Sequence, residues 1–466
     1  MNKPKEKKGL HFELVPVIFA LAWPTMLEEL MGTAVQYIDT AMVGTLGTAA
    51  TAAVGSTATI NWLMNGTASA LGVGFLSYIS RALGAEDRER ARRASAQSVM
   101  TALICGIVFT ALTLSLSRRV PVWMKVDPSI RELASRYFFI IYLPMLFRTA
   151  ASILGSVLRS AGDSKTPMRT GVCANLINIV LNFLLIYPTR TVGIFGVQVK
   201  LFGAGLGVLG AAAASAVAYT FNGCAITVAL FRHPAISPRG YRMLPDRSIL
   251  RPCLRVALPN MLQRFCTSLG YVVFASMINA LGELSTAAHT VANTVESAFY
   301  IPGYGMLSAA ATLTGNAIGA GKKEQLQNMS RMLLVLELGM MLVTGALLYF
   351  FAPAAVSIFS ADVAVIALGS RVLRMVALSE PFYGASIVTE GMLMGAGQTA
   401  MPFLFNTLAM WGIRILGTFL CIRVWGLGLV SAWACMIADN MTLLVFFRLY
   451  FRFGKWRDRL FPAAGA

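Results

Sequence analysis

Charge is what this sequence lacks most. Only 13% of its 466 residues are charged, whereas a water-soluble domain carries about 25%. Hydrophobic residues make up 56% and the mean hydropathy is +0.66, so lipid must be the main solvent. No stretch between the apolar runs is long enough to be a soluble domain, which excludes a fused ATP-binding module. HExxH and Walker sequences are both missing, and the buried-type polar residues are mostly carboxylates, so an enzyme is not expected and no cofactor is called for. The seven cysteines (Cys105, Cys173, Cys224, Cys253, Cys266, Cys421 and Cys435) show neither paired nor metal-type spacing. They read as free, small packing residues.

What is present is a succession of apolar runs of about 20 residues, the length a helix needs to cross some 30 Å of hydrocarbon. They predict an all-α integral membrane protein with twelve transmembrane helices, near 14–39, 54–79, 95–117, 133–157, 170–187, 205–231, 256–281, 286–312, 331–352, 366–393, 402–424 and 428–450. The runs are continuous and too long for barrel strands, and only helices satisfy the backbone internally in lipid. The first run begins at Phe12 without a small-residue cleavage pattern and reads as a retained span.

The formal net charge of +18 does not point to nucleic acid, because the basic residues fall in the gaps between spans. With the amino terminus placed in the cytoplasm, 26 lysines and arginines lie on the cytoplasmic side and 10 on the outer side. This asymmetry orients a multi-pass protein of a bacterial inner membrane with both termini inside.

The chain also repeats itself. An offset of 235 pairs Pro24 with Pro259, Gly47 with Gly282, "TAA" at 51 with "TAA" at 286, "ALGA" at 82 with "AIGA" at 317, and Pro167 with Pro402. Beyond the fifth helix the offset falls to 221, so the outer loop around 188–204 holds 14 extra residues in the first half. The expected organisation is two pseudo-symmetric six-helix lobes: 1–232 (helices 1–6), a cytoplasmic linker at 233–255, and 256–466 (helices 7–12). Six helices per repeat give both halves one orientation, with a central cavity between rocking lobes as in many secondary transporters.

Ionisable residues inside spans need a partner, water or a task. Glu28 and Asp39 are eleven residues apart, about three turns, and share a helical stripe with Gly32 and Gln36. A solvated helix end is the plainer reading of Asp39. In "NIVLN", Asn178 and Asn182 lie one turn apart on one face, where an interhelical hydrogen-bond pair is the plainer alternative. His289, Asn293 and Glu296 follow spacings of four and three, displaying an imidazole, an amide and a carboxylate on one helix face. That face suits an organic cation or a proton relay; interfacial water at the helix start is the competing reading of His289. Glu390 is a further cavity candidate and Glu380 a weaker one. Arg148 and Arg414 are buried-cation candidates that call for internal ion pairs, with Asp439 and Glu337 available as partners. Arg264 and Glu29 are equivalent under the 235 offset and form a possible clasp. The prolines Pro24 and Pro259 allow helix bending, and the 24 methionines read mainly as generic apolar filling.

The stretches "LAWPTMLEELMGTAVQYIDTAMVGTLG" from Leu21, "RSAGDSKTPM" at 159–168, "GVLGAAAAS" at 207–215, "LSTAAHTVAN" at 284–293 and "GNAIGAGKKE" at 315–324 together resemble the multidrug and toxic compound extrusion transporters, nearly end to end and in the family's order. The resemblance implies twelve helices in two lobes and efflux of small organic, often cationic, drugs in exchange for Na+ or H+. It implies that Asp39 takes part in cation coupling and that Asn178, Asn182 and Ser215 complete a polar pocket in the first lobe. Oxygen ligands of this kind suit a small hard cation, so Na+ is a candidate at Asp39, Asn178 and Asn182. Some members carry a carboxylate where Asn182 stands, so cation binding in this pocket is expected to be weaker or limited to one charge. In the second lobe Thr267 and Tyr383 replace the two acids of one branch of the family, so cation coupling there is not expected through those positions. The expected substrate-cavity residues are Glu28, Gln36, Glu296, Asn293, His289, Tyr383 and Glu390. A lipid-linked precursor flippase of the wider superfamily is the alternative; its cargo phosphates favour cationic clusters, whereas Asp39, Glu28 and Glu296 are acids. The expected partners are drug-like organic cations and the lipid bilayer, and the expected state is a monomer.

Overall fold

The computed structural model of the chain describes residues 11–55, 58–124, 126–194, 197–454 and 456. It is almost wholly helical. The helices are α1 (Val15–Gly44), α2 (Thr48–Gly55), α3 (Ala58–Gly84), α4 (Arg88–Leu116), α5 (Val120–Trp123), α6 (Arg131–Tyr142), α7 (Met145–Ser160), α8 (Lys165–Leu185) and α9 (Val208–Arg232). They continue with α10 (Arg247–Asn279), α11 (Glu283–Gly319), α12 (Lys323–Ser357), α13 (Val363–Ala377), α14 (Glu380–Gly395), α15 (Ala400–Ala409), α16 (Leu416–Phe419) and α17 (Leu429–Phe453). Two π-helical stretches, Met410–Ile415 and Leu420–Val424, flank α16. Each apolar run singled out above falls on a helix or on consecutive helices. Among the described residues, eight helices are long and apolar enough to cross a membrane, and the bent pair α6–α7 makes nine.

Two expected spans are broken. The run at 133–157 becomes α6 and α7, which meet at 44°, because Pro144 at the junction has no N–H to continue the helix. The run at 366–393 breaks likewise between α13 and α14, where Pro381 sits in the first turn of the new helix. Both breaks end and restart at positions 235 apart, although different prolines mark them. The repeat extends to the loops. Gly47 and Gly282 have φ of 105° and 101°, and Glu86 and Gly321 have φ of 59° and 67°, left-handed turns at equivalent positions. Asp127 accepts from the Ser129 amide at 2.8 Å and its counterpart Asp362 from the Ala364 amide at 2.8 Å. The Ser129 hydroxyl and amide hold the exposed Asp127 carboxyl below its ordinary range. The extra residues of the first half form the exception to an all-helical chain, an antiparallel hairpin of β1 (Pro188–Ile194) and β2 (Val197–Ala204).

Backbone contacts divide the chain into two compact units. The amino-terminal unit comprises Leu27–Ile79 and Arg88–Phe265; the carboxy-terminal unit comprises Met1–Met26, Ser80–Asp87 and Cys266–Ala466. Inside the first, Phe138, Tyr142, Met145, Ile186 and Ala212 form a buried core. Helices approach closely at glycines: a Cβ on Gly223 would lie 2.4 Å from the Phe147 carbonyl oxygen, so a side chain there would push α9 from α7. The segment after α9 is strapped to α4, where Gln97 Nε2 donates to the Leu244 carbonyl at 2.6 Å and Gln97 Oε1 accepts from the Asp246 amide at 3.1 Å. Inside the second unit, one core gathers Met306, Ala310, Met392, Leu393 and Phe447, and another gathers Phe274, Leu348, Val372 and Trp433. There, Cβ atoms on Gly391 and Gly395 would strike the carbonyls of Leu307 and Ala311, so α11 and α14 pack nearly backbone to backbone.

Candidate functional site

In the amino-terminal unit three helices converge on Asp39. Two faces of the sequence make this possible: the i, i+4 spacing of Asn178 and Asn182 aims both amides the same way from α8, and the alanine-rich start of α9 lets Ser215 come close. Asn182 Nδ2 donates to Asp39 Oδ1 at 2.5 Å. The Asn178 amide is oriented by its neighbours: its nitrogen donates to Asp39 Oδ1 at 2.9 Å, and its oxygen accepts from the Ser215 amide at 3.2 Å and hydroxyl at 3.0 Å. Asn178 and Asn182 are buried and Asp39 half-buried. All donors to the acid are neutral, so its charge is solvated by dipoles and not cancelled by a cation. Asn182 Oδ1, fully buried, has no hydrogen-bond partner among the described residues. The pocket therefore offers a carboxylate and a free amide oxygen, both hard ligands, which fits a small cation.

The remaining polar residues of this unit are arranged differently from expectation. Glu28, expected to line a cavity, is held by Arg159, whose Nη2 lies 2.7 Å from Glu28 Oε2; an acid engaged in an ion pair is a poor cargo contact. Gln36 is exposed on α1, three residues before Asp39. Among the described residues Glu29 and Arg264 form no ion pair; the Arg264 side chain instead packs where a Cβ on Gly66 would sit, at 3.5 Å. Arg148 has no internal salt bridge either. Its Nη2 donates to Asn61 Oδ1 and, at 2.9 Å, to Asn65 Oδ1, and its guanidinium lies 4.4 Å from the Tyr219 ring centroid and 5.6 Å from that of Tyr142.

The carboxy-terminal unit places its charges otherwise. Arg414 Nε lies 2.8 Å from Asp439 Oδ2, both almost fully buried, and Arg414 Nη2 donates to Asn440 Oδ1 at 3.3 Å. Asp439 is thus the partner of Arg414, and Glu337 pairs with neither arginine. Glu337 and Glu380 are buried, and none of their four carboxyl oxygens has a hydrogen-bond partner. Glycines make room for them: a Cβ on Gly384 of α14 would lie 2.6 Å from Glu337 Oε1, and one on Gly345 of α12 would lie 3.5 Å from Glu380 Cβ. His289, Asn293 and Glu296 differ in their surroundings. His289 stands edge-on to Phe274 and Trp433 at 5.7 and 5.8 Å, which places it among aromatic rings; Asn293 is exposed and Glu296 buried. Tyr383 packs edge-on against Tyr300 at 5.8 Å, and Asn406 Nδ2 approaches Glu390 Oε2 at 3.5 Å.

A tandem-repeat bundle of membrane-spanning helices, with an acid held by amides inside one half, defines a multi-pass membrane transporter. The chain belongs to the MatE family, whose model matches it twice, at residues 24–184 and 259–420. The two matches begin 235 residues apart, the offset read from the sequence. The probable multidrug resistance protein NorM of Thermotoga maritima is 27% identical over 456 residues, covering 98% of this chain and 95% of that protein. The multidrug resistance protein PmpM of Pseudomonas aeruginosa is 26% identical over 406 residues, covering 85% and 82%. Among solved structures, an outward-facing multidrug resistance MATE family transporter of the MOP superfamily matches with a TM-score of 0.86 at 25% identity, covering 95% of each chain. A MOP superfamily transporter from Pyrococcus furiosus, described as having a binding pocket of reversed polarity, matches in fold with a TM-score of 0.86 at 24% identity, covering 95% of each chain.

Proposed function

We propose that this chain is a secondary active multidrug efflux transporter that exchanges small organic, often cationic, compounds for Na+ or H+ across a bacterial inner membrane. The observation that carries the reading is the Asp39 pocket: a negative charge solvated only by neutral dipoles, with the Asn182 oxygen beside it left without a donor. A bound Na+ takes the carboxylate and that amide oxygen as ligands; a proton takes the carboxylate alone. Either neutralises the one acid of the pocket and so alters its hold on α8 and α9, which ties ion binding to conformation. In this reading the lobes 1–232 and 256–466 are the bodies that rock, the protein works as a monomer, and the excess of Lys and Arg supports both termini lying in the cytoplasm. The names of the NorM and PmpM relatives support drug-like cargo.

Efflux of a fluorescent organic cation from proteoliposomes, with Na+ and pH gradients imposed separately, tests this. The native chain requires one of the two gradients, and Asp39→Asn, which keeps the shape and removes the charge, abolishes driven efflux. Undiminished efflux by that variant removes Asp39 from coupling, and efflux independent of both gradients rejects exchange.

A further inference from the structure

We infer that Arg148 anchors a binding site for a small monovalent anion, a halide or the carboxylate of a cargo molecule, in the amino-terminal unit. The inference goes beyond the exchange proposed above and does not depend on Asp39 being the cation site. Arg148, at the start of α7 within a membrane-spanning run, is 7% exposed, and a charge in that setting needs a partner or a task. Its contacts are the Asn61 and Asn65 amide oxygens and the rings of Tyr219 and Tyr142. Partial charges on amides and ring faces solvate a cation, yet none of them cancels it. Among the described residues no carboxylate lies within ion-pair distance of Arg148: Glu28 is taken by Arg159 and Asp39 is held by amides.

Arg414, in the carboxy-terminal unit, shows what a completed nest contains. Its guanidinium lies 5.4 Å from the Tyr271 ring centroid and 5.8 Å from that of Phe274, and one nitrogen donates to Asn440 Oδ1. Two rings and an amide surround it, as at Arg148. The difference is Asp439, whose carboxylate lies 2.8 Å from Arg414 Nε. Arg148 has a second amide in place of the acid, and its Nη1 is buried without a hydrogen-bond partner among the described residues. The Tyr142 hydroxyl, on a ring beside that guanidinium, is buried and unpartnered in the same way. A guanidinium N–H and a phenol O–H are both donors, and donors left without acceptors recognise an anion, not a cation. Water satisfies such donors but leaves the charge standing; a monovalent anion does both.

The repeat shows that this chemistry belongs to the first half alone. The 235 offset sets Tyr383 at the counterpart of Arg148 and Glu296 at that of Asn61, so the second half has a phenol and an acid where the first has a guanidinium and an amide. Asn65 is exposed and Asn61 half-buried, which makes the α3 side of the nest the one an anion can reach.

The test uses the purified full chain in lipid nanodiscs, free of Na+, titrated with potassium chloride and separately with potassium acetate, against potassium sulfate at matched ionic strength. Calorimetry and the thermal unfolding midpoint are the readouts. The native chain binds at least one of the two monovalent anions saturably, and its midpoint rises with that anion's concentration, as for a ligand of the folded state. The anion bound more tightly tells a resident halide from a cargo carboxylate. Arg148→Gln weakens the binding about thirtyfold or more. Asn65→Asp, which places a carboxylate at the 2.9 Å contact with Arg148, supplies the anion from within, so its midpoint no longer depends on added anion; it decides the matter if Arg148→Gln fails to fold. A native chain that answers neither anion beyond sulfate, or a response that persists in Arg148→Gln or in Asn65→Asp, overturns the inference and leaves the reading of Asp39 untouched.

Discussion

The two units share a backbone plan and differ in how they treat charge. In the amino-terminal unit the acid of interest, Asp39, is held by neutral donors and the buried Arg148 by neutral acceptors. In the carboxy-terminal unit the buried Arg414 is locked to Asp439, and Glu337 and Glu380 stand in glycine notches without donors among the described residues. Duplication preserved helix breaks and left-handed turns at equivalent positions; it did not preserve the polar chemistry. Backbone features are held by sterics common to both halves, whereas a side-chain pocket is specified by a few positions that drift independently.

Breaking the locked pair is the harshest way to test that contrast. Arg414→Met leaves Asp439, 2% exposed, as an uncompensated buried charge, and the loss is about 3–5 kcal/mol. It is read as a fall in the thermal unfolding midpoint of the detergent-solubilised protein. The double variant Arg414→Met with Asp439→Leu recovers most of that loss, because no lone charge remains. A double variant as unstable as the single one shows that packing around Arg414, and not charge, holds the unit together.

The contrast sharpens when the pocket gains a second acid. Asn182→Asp replaces a neutral donor 2.5 Å from Asp39 by a carboxylate, and two acids sharing one site raise its affinity for a cation or a proton. The expected shift in half-saturating cation concentration is about tenfold or more toward tighter binding, measured by titrating the purified full chain in lipid nanodiscs with Na+ at fixed pH and with H+ at fixed salt, followed by tryptophan fluorescence. A weaker response, or none, shows that the amide donors matter more than the charge. Next in size is the ion pair of the amino-terminal unit: Glu28 and Arg159 are 22% and 17% exposed at their side chains, so Glu28→Gln costs about 1 kcal/mol, several-fold less than breaking Arg414 from Asp439. Equal losses at the two pairs remove burial as the explanation of the difference.

The fold was legible because lipid imposes long apolar helices and because the repeat is printed in the sequence as a fixed offset. The broken fourth helices were less so: Pro144 and Pro381 are visible, but a proline in a membrane helix is compatible with continuity or a kink, and Pro24 and Pro259 do lie inside unbroken helices. The hairpin at 188–204 was visible only as surplus length. Of the pocket, Asn178 and Asn182 announced themselves by spacing and Asp39 as an ionisable residue on a stripe of the first helix, while the role of Asp39 and the choice of Ser215 came through family resemblance, since an acid near a helix end and a serine among alanines carry no distinctive pattern. Partnerships of buried charges were not legible. Arg414 meets Asp439 across 25 residues of chain and Arg159 meets Glu28 across 131, and nothing in one-dimensional spacing distinguishes those unions from the Glu29–Arg264 pair that does not form.

The smallest effect tests whether the repeat is conserved for steric reasons. Glu86 and Gly321 occupy equivalent turns, with φ of 59° and 67°, yet only one of them is the residue that this conformation favours. A side chain in left-handed backbone costs about 1–2 kcal/mol, and glycine offsets part of the relief through its greater freedom in the unfolded chain, about 0.4–1 kcal/mol. Glu86 is exposed, so Glu86→Gly stabilises by about 0.5 kcal/mol, roughly 1 °C in the unfolding midpoint of a chain this size. The reciprocal change, Gly321→Ala, meets no atom within 4 Å and still destabilises by about 1 kcal/mol, because the penalty is in the backbone and not in the space around it. If Gly321→Ala is neutral, the turns match by descent alone and impose no conformational demand; if Glu86→Gly destabilises, the glutamate side chain itself does something at that turn.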